Sequence, residues 1–410
     1  MALFQRLLEV SKDGRLMSTI RSGKAQRALK NSVSENMKSS FTIPLAYLWS
    51  RLGKSEGFRY NDIVARHDVV PYRDHDIPLN DERLTRLCVA YQKMVAAAPN
   101  NSNDPYFVAG LWEGWKTNYQ QDFSTALLNS DIETLRDILS SLGSNSASIG
   151  ISLAGDIANS KRSQMRTALR MNKLSARWKL LVRDPILTPY PQLWGSLPGA
   201  RTESGVTVPS AYRLHYSAGL LKSLSPNDGQ ILEIGGGFGG IPFHLFQDHD
   251  FNGRYVDFDI PEVLMIAAAF LMATLPKIPL ELYGEPTGSH VHSIVLLPHF
   301  ELENFAGTRE SVVFNSHSLT EMSPETVSEY LRQISRIGPR FFLHMNHEYE
   351  SEFKAPDGSW RSHVNLNSPR FELPTDNYVR ISRIPEILTN DGDVYGAFDY
   401  WEYLYMARDI

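Results

Sequence analysis

Apolar and polar positions change period along this chain. Up to about residue 183 the apolar residues recur at three- and four-residue intervals, the spacing of helices buried on one face. Leu84, Leu87, Cys88, Tyr91 and Val95 form one such stripe between Asp81 and Ala98. Asp104-Pro105 supplies an N-cap and a first-turn proline for a second helix, with the stripe Val108, Leu111, Trp112, Trp115 and Tyr119. Ser130-Asp-Ile-Glu133 has capping-box spacing, and Gly143 stops the helix behind it. Residues 156–183 repeat the helical pattern with a basic face. Residues 2–30 do so as well, around Leu3, Phe4, Leu7, Leu8, Leu16, Met17 and Ile20, interrupted by Gly14. Residues 1–185 therefore read as an α-helical N-terminal region. Five prolines and three glycines between Asp184 and Pro209 mark residues 186–209 as an ordered linker.

Beyond the linker, short apolar runs alternate with helical stripes. The strands are expected at Ile231–Ile234, Arg254–Phe258, Leu280–Gly284, Ser311–Asn315, Arg340–Met345 and Phe398–Ala407. Helices are expected at Ser210–Leu224, from Ile241, at Glu262–Leu275, from Ser323-Pro324 to Gly338, and briefly at Pro385–Thr389. Ile294-Val-Leu-Leu297 is a further apolar run without a place in that series. Alternating strands and helices build a parallel α/β sheet, so residues 210–410 read as a doubly wound domain.

Composition narrows the function. The chain has 410 residues, 42% hydrophobic and 21% charged, as in ordinary globular proteins. Cys88 is the only cysteine, which excludes an internal disulfide and suits a reducing, cytoplasmic setting. Neither a transmembrane run nor a signal-peptide core is expected. Residues 1–60 carry a net +7 out of a total of −5, which leaves −12 for the rest. An acidic body argues against nucleic acid as a partner. The basic N-terminal stripe leaves contact with an anionic membrane open, beside the plainer reading of a solvated helix face.

The chemistry centres on Ile231-Leu-Glu-Ile-Gly-Gly-Gly-Phe-Gly-Gly240, a strand running into a glycine turn and then a helix. Two ligand classes use such a turn. Gly235, Gly237 and Gly240 have dinucleotide spacing; Gly235, Gly237 and Gly239 have the spacing of S-adenosylmethionine (SAM) enzymes. Glu233 favours the second, because a carboxylate at the strand's end suits an ammonium and sits poorly beside a pyrophosphate. Asp259, twenty residues after Gly239, is placed to accept ribose hydroxyls. Its alternatives are Asp257 in the same role and an N-cap for the helix from Pro261.

ILEIGGGFGG, VDFDIPE, FNSHSLTEM and YWEYLYMAR together resemble class I SAM-dependent methyltransferases. The set is most similar to the sugar O-methyltransferase family of bacterial polysaccharide biosynthesis, over roughly residues 205–410. The resemblance implies a Rossmann-like, seven-stranded mixed sheet closed by an antiparallel last strand, SAM as cofactor, and a saccharide or other hydroxylated small molecule as acceptor. It also implies that Arg213 borders the methionine carboxylate, that Glu285 borders the adenine, and that Asn315 and Ser316 face the methyl group. A plain surface role for Arg213 stays open. A homo-oligomer is expected.

A sugar hydroxyl is a poor nucleophile when neutral, so a general base near pH 7 helps. His317, directly after the fourth strand, is the first choice, and Glu321 is the rival base or hydroxyl anchor. No spacing marks a metal site, although Glu348, Asp391 and Asp393 would be available to one. The other function classes are an NAD-dependent oxidoreductase built on the same glycines and a non-enzymatic binding protein with a degenerate fold.

Overall fold

A computed structural model describes residues 62, 79–109, 111–140, 161–183, 185–191, 199–203, 205–225, 229–286, 291–348, 352–354, 360–362, 364–371, 373, 377–389 and 400–408. The basic stripe of residues 2–30, residues 192–198 of the linker, Gly143, Asp391 and Asp393 lie outside them. Among the described residues up to Leu181, the extended secondary structure is helical: α1 (Asp81–Ala97), α2 (Leu111–Tyr119), α3 (Gln121–Asn129), α4 (Ile132–Ser140) and α5 (Lys161–Leu181). After a small hairpin, β1 (Ala200–Arg201) and β2 (Val206–Thr207), comes α6 (Pro209–Leu224). The α/β part then follows as β3 (Gln230–Ile234), α7 (Gly240–Asp248), β4 (Arg254–Asp259), α8 (Pro261–Thr274), β5 (Leu280–Leu282), β6 (Ser293–Pro298), β7 (Val312–Ser316), α9 (Pro324–Ile337) and β8 (Phe341–His347). A hairpin of β9 (Glu352–Lys354) and β10 (Trp360–Ser362) precedes β11 (Tyr378–Pro385) and β12 (Tyr400–Ala407). None of the helices is long and apolar enough to cross a membrane.

The main sheet has eight strands in the order β11-β12-β8-β7-β3-β4-β6-β5, with β12 antiparallel to both neighbours. The resemblance implies seven strands; the two without an expected position are β6, the run Ile294–Leu297 that pairs with β4, and β11, while the expected strand Leu280–Gly284 is the short edge strand β5. Strand alternation divides the core into two layers. Ile231, Tyr255, Ile294 and Phe314 face α6, α7 and α8, with α1, α3 and α4 packed behind. Leu232, Ile234, Val256, Phe258 and Val313 face α9, whose Val327, Leu331 and Ile334 are fully buried. Helices on both faces explain why β3 and β4 read as continuous apolar runs.

Several local expectations shift. The Asp104 carboxylate accepts the Tyr106 N–H at 2.8 Å in a turn, and the described helix begins only at Leu111. Ser130 sits at φ 53° and ends α3, so Asp131 caps α4 instead, through the Thr134 N–H at 3.1 Å. Residues 387–389 form a turn, not a helix. The described part of the linker is integral to the core: Tyr190 is fully buried and pairs with Val206. Its ring lies edge-on to Phe238, Phe243 and Phe270.

Candidate active site

The strand order reverses at β3: β4 continues to one side, and β7 returns on the other. In open α/β sheets the crevice beyond the carboxyl ends at such a switch point is where ligands bind. The glycine turn lies there. Gly235, Gly237 and Gly239 take φ of 77°, 63° and 87°, a region that penalises a Cβ. A Cβ on Gly235 would collide with Ser318 Oγ, and one on Gly239 would press on Leu271 at 3.0 Å. On Gly237 it would meet no atom within 4 Å. Gly235 and Gly239 therefore serve packing, and Gly237 keeps the backbone open to close approach.

Three carboxyl groups gather under and beside the turn. Asp257 Oδ1 accepts the Gly236 N–H at 3.0 Å, and Asp259 Oδ2 accepts the Gly237 N–H at 3.0 Å. Asp259 also takes the Ile260 N–H at 2.7 Å, so it fastens the strand end and does not cap α8. Glu233 pairs in register with Asp257, is buried, and accepts the Tyr255 hydroxyl. Burial pushes Glu233 up to about 8 and Asp259 up to about 7. Burial, then the Asp259 charge, holds Asp257 well above the usual carboxylate range.

The β7 end supplies the other wall. Asn315 is buried and fully engaged: its amide donates to the Ile234 carbonyl at 2.7 Å and to Ser318 Oγ at 2.5 Å, and its Oδ1 accepts from Asn346 Nδ2 at 2.7 Å. It straps β3, β7 and β8 together. Arg213, half-buried on α6, donates to Ser316 Oγ at 2.6 Å. Burial disfavours its charged guanidinium, and the neighbouring Glu386, Tyr400 and Glu233 oppose that effect.

His317 sits at φ 70°, a strained conformation for a residue with a side chain. Its N–H donates to the Met345 carbonyl at 2.8 Å. Its ring stacks on Tyr400 at 4.1 Å, and Nε2 lies 3.5 Å from Thr389 Oγ1. Burial, then the Arg213 and His347 charges, holds the imidazole well below 6.5. Glu321 ends the short 3-10 turn Leu319–Glu321, and burial pushes its carboxyl up to about 8.

The structure thus brings Glu233, Gly235, Gly237, Gly239, Asp259, Arg213, Ser316 and His317 to one end of the sheet, with Asn315 beneath and Glu321 following. It does not bring Glu285 there. Glu285 follows the edge strand β5, separated from β4 by β6, and binds Arg86 of α1 at 2.5 and 2.7 Å. Glu348 is likewise committed, in a two-pronged ion pair with Arg383 at 2.6 Å. Among the described residues no group of three His, Cys, Asp or Glu side chains is arranged to hold a metal ion. Sequence reading passed over Asp257's hold on the turn, the Tyr255 hydroxyl and the Thr389 contact. The pairing of Asp257 with Glu233 follows from strand register, which a single sequence does not display.

No protein-family profile matches the chain, and no curated protein matches its sequence. Among solved structures it is similar to the small RNA methyltransferase HEN1 (17% identity, 53% of this chain and 28% of that one, TM-score 0.37). It is also similar to the glycopeptide N-methyltransferase MtfA (14% identity, 48% of this chain and 90% of that one, TM-score 0.34). A third is geranyl diphosphate methyltransferase in complex with SAM (11% identity, 47% and 85%, TM-score 0.32). Identities this low and superpositions this partial carry no residue role or acceptor over to this chain.

Proposed function

We propose that the chain transfers a methyl group from SAM to a hydroxyl oxygen of a saccharide or similar small molecule. One observation carries the choice of cofactor. The N–H groups of Gly236 and Gly237, which a dinucleotide-binding turn would offer to a diphosphate, are each accepted by the chain's own carboxylates. A turn whose donors are taken has little to offer a diphosphate, and the carboxyls of Glu233, Asp257 and Asp259, which ionise when a cation arrives, suit a nucleoside that carries a sulfonium and an ammonium. Open space at Gly237 gives that ligand its approach.

In this reading Asp259 accepts the ribose hydroxyls, and Glu233 with the turn faces the amino-acid ammonium. Arg213 pairs with the carboxylate as a charged donor. SAM supplies an activated methyl; the protein aligns the acceptor oxygen behind it and removes a proton. His317 takes that proton. Its imidazole is neutral at pH 7 because burial and Arg213 disfavour its cation. Glu321 anchors the acceptor hydroxyl. The saccharide class rests on the resemblance of FNSHSLTEM and its companion stretches to the sugar O-methyltransferase family.

The test is transfer of label from methyl-labelled SAM to a panel of saccharides, followed by mass analysis of the product. Methyl on a sugar oxygen supports the reading. Label found only on nitrogen or carbon acceptors overturns the oxygen assignment.

A further inference from the structure

Helix α5 buries one face against the domain. Ala168, Met171, Leu174 and Trp178 lie at helical spacing and pack with Tyr212 and Leu388. The opposite face is not the evenly polar one that a solvated helix presents. Its exposed positions recur as Leu169, Lys173, Ala176 and Leu180, with Lys179 at the flank and Arg183 just past the helix. Leu180 is 87% exposed, and Ile186, also beyond the helix end, is 74% exposed. From residue 161 to residue 183 the chain has eight Lys/Arg and no Asp or Glu, although its net charge is −5.

A scattered exposed leucine means little. Leucines threaded among cations along one helix face, with no acid between them, have a specific use. At an anionic bilayer the apolar side chains enter the boundary between headgroups and acyl chains, and the cations meet the lipid phosphates. Charge also ranks the other occupants. Residues 1–60 of the chain itself carry +7 and repel this face. A nucleic acid would engage the cations but leave Leu180 and Ile186 in water. None of the described helices is long and apolar enough to cross a membrane, so a lipid contact through α5 is peripheral.

We propose that the outer face of α5, continued by Arg183 and Ile186, docks the protein on the anionic surface of a lipid bilayer. Arg177 of the same helix donates to the Ile387 carbonyl at 2.8 Å, in the turn whose Thr389 meets His317. Docking through α5 therefore holds the candidate site beside the lipid surface. The proposal goes beyond the methyltransferase reading and does not rest on it.

The experiment is co-sedimentation of the full chain with two kinds of vesicle: phosphatidylcholine alone, and an equal mixture of phosphatidylcholine and phosphatidylglycerol. Wild type should sediment with the mixed vesicles, much less with the neutral ones, and progressively less as salt is raised. Two double variants separate the contributions: Leu180→Ser with Ile186→Ser, and Lys179→Glu with Arg183→Glu. Each should lower binding to the mixed vesicles by roughly tenfold or more. Both should keep the wild-type Tm, because all four side chains are exposed. Wild type that stays in solution with the mixed vesicles overturns the proposal. So does wild-type binding by both double variants, which would move the contact elsewhere on the chain. Loss in the glutamate pair alone, accompanied by retention of single-stranded RNA on a filter by wild type and the serine pair, would assign the face to nucleic acid and overturn it too.

Discussion

Two glycines of the same turn should respond oppositely to substitution. Gly235→Ala adds a Cβ where Ser318 stands, so it should destabilise the fold. Gly237→Val places side-chain atoms in open space at φ 63°. Its backbone penalty is about 1–2 kcal/mol, while cofactor affinity should fall at least tenfold. Thermal unfolding and ligand calorimetry on both variants check the contrast. Equal loss of affinity and equal loss of stability in the two would mean that Gly237 serves packing too.

The base is best identified from pH dependence, because its two candidates are shifted in opposite directions. A general base works deprotonated, so kcat rises with pH through its pKa. If His317 is the base, kcat at saturating SAM should already be level at pH 6.5, since its imidazole is held well below that value. A limb still rising near pH 8 would instead assign the role to Glu321. His317→Ala should lower kcat by roughly 10²–10⁴-fold with SAM affinity retained. If that variant turns over at the wild-type rate while Glu321→Gln is dead, the assignment reverses.

The carboxyls under the turn make a further residue-level prediction. Glu233 at about 8 and Asp259 at about 7 are raised in the folded protein above ordinary carboxyl values. Their stabilising contribution is therefore complete below about pH 4, and it is lost as pH rises through 7 to 8. An ammonium beside Glu233 and ribose hydroxyls donating to Asp259 favour the ionised forms, lower both values and release protons. Affinity for S-adenosylhomocysteine should thus increase from pH 6 to pH 8. Calorimetry at pH 7 in two buffers of different ionisation heat should show proton release; proton uptake would contradict the assigned ammonium site.

At the scale of elements, what the sequence displayed well was whatever local chemistry determines. β3, the glycine turn, β4 and α9 stand within about a residue of their expected bounds. Apolar runs, Ser323 as N-cap, Pro324 and a positive-φ Gly338 fix them locally. The order of strands across the sheet is not local information. Leu280–Leu282 and Ser293–Pro298 are both short apolar runs, and only their pairing shows that the second neighbours β4. Glu285 does follow the strand expected before it, but that strand lies at the sheet's edge and not beside β4. β11 escaped notice because it is an edge strand with exposed Val379, Ile381 and Ile384 between arginines, so it lacks a clean alternation. Tyr190 shows the same limit. Among prolines and glycines it reads as linker, yet it fills the core beneath α7, so Tyr190→Ala should cost about 3–5 kcal/mol by denaturant unfolding. A loss under 1 kcal/mol would show that the segment is only draped on the domain.

At the scale of the whole molecule, the N-terminal region reaches the carboxyl ends of the strands at several places. The Tyr106 carbonyl accepts from His299 Nε2 at 2.7 Å, and the Pro105 carbonyl accepts from Thr326 at the start of α9 at 2.9 Å. On the other side, Arg177 of α5 donates to the Ile387 carbonyl at 2.8 Å, in the turn that carries Thr389 to His317. In the proposed reading the acceptor enters a crevice framed by the chain's own N-terminal region. The central claim is narrower: the crevice at the β3 switch point takes a nucleoside that carries an amino-acid ammonium and refuses a dinucleotide. Calorimetric titration of the full chain with S-adenosylhomocysteine and, separately, with NAD tests it most directly. Saturable binding of S-adenosylhomocysteine that Asp259→Ala weakens by roughly 1–3 kcal/mol, with no heat from NAD, is the predicted result. Binding of NAD without binding of S-adenosylhomocysteine would contradict it.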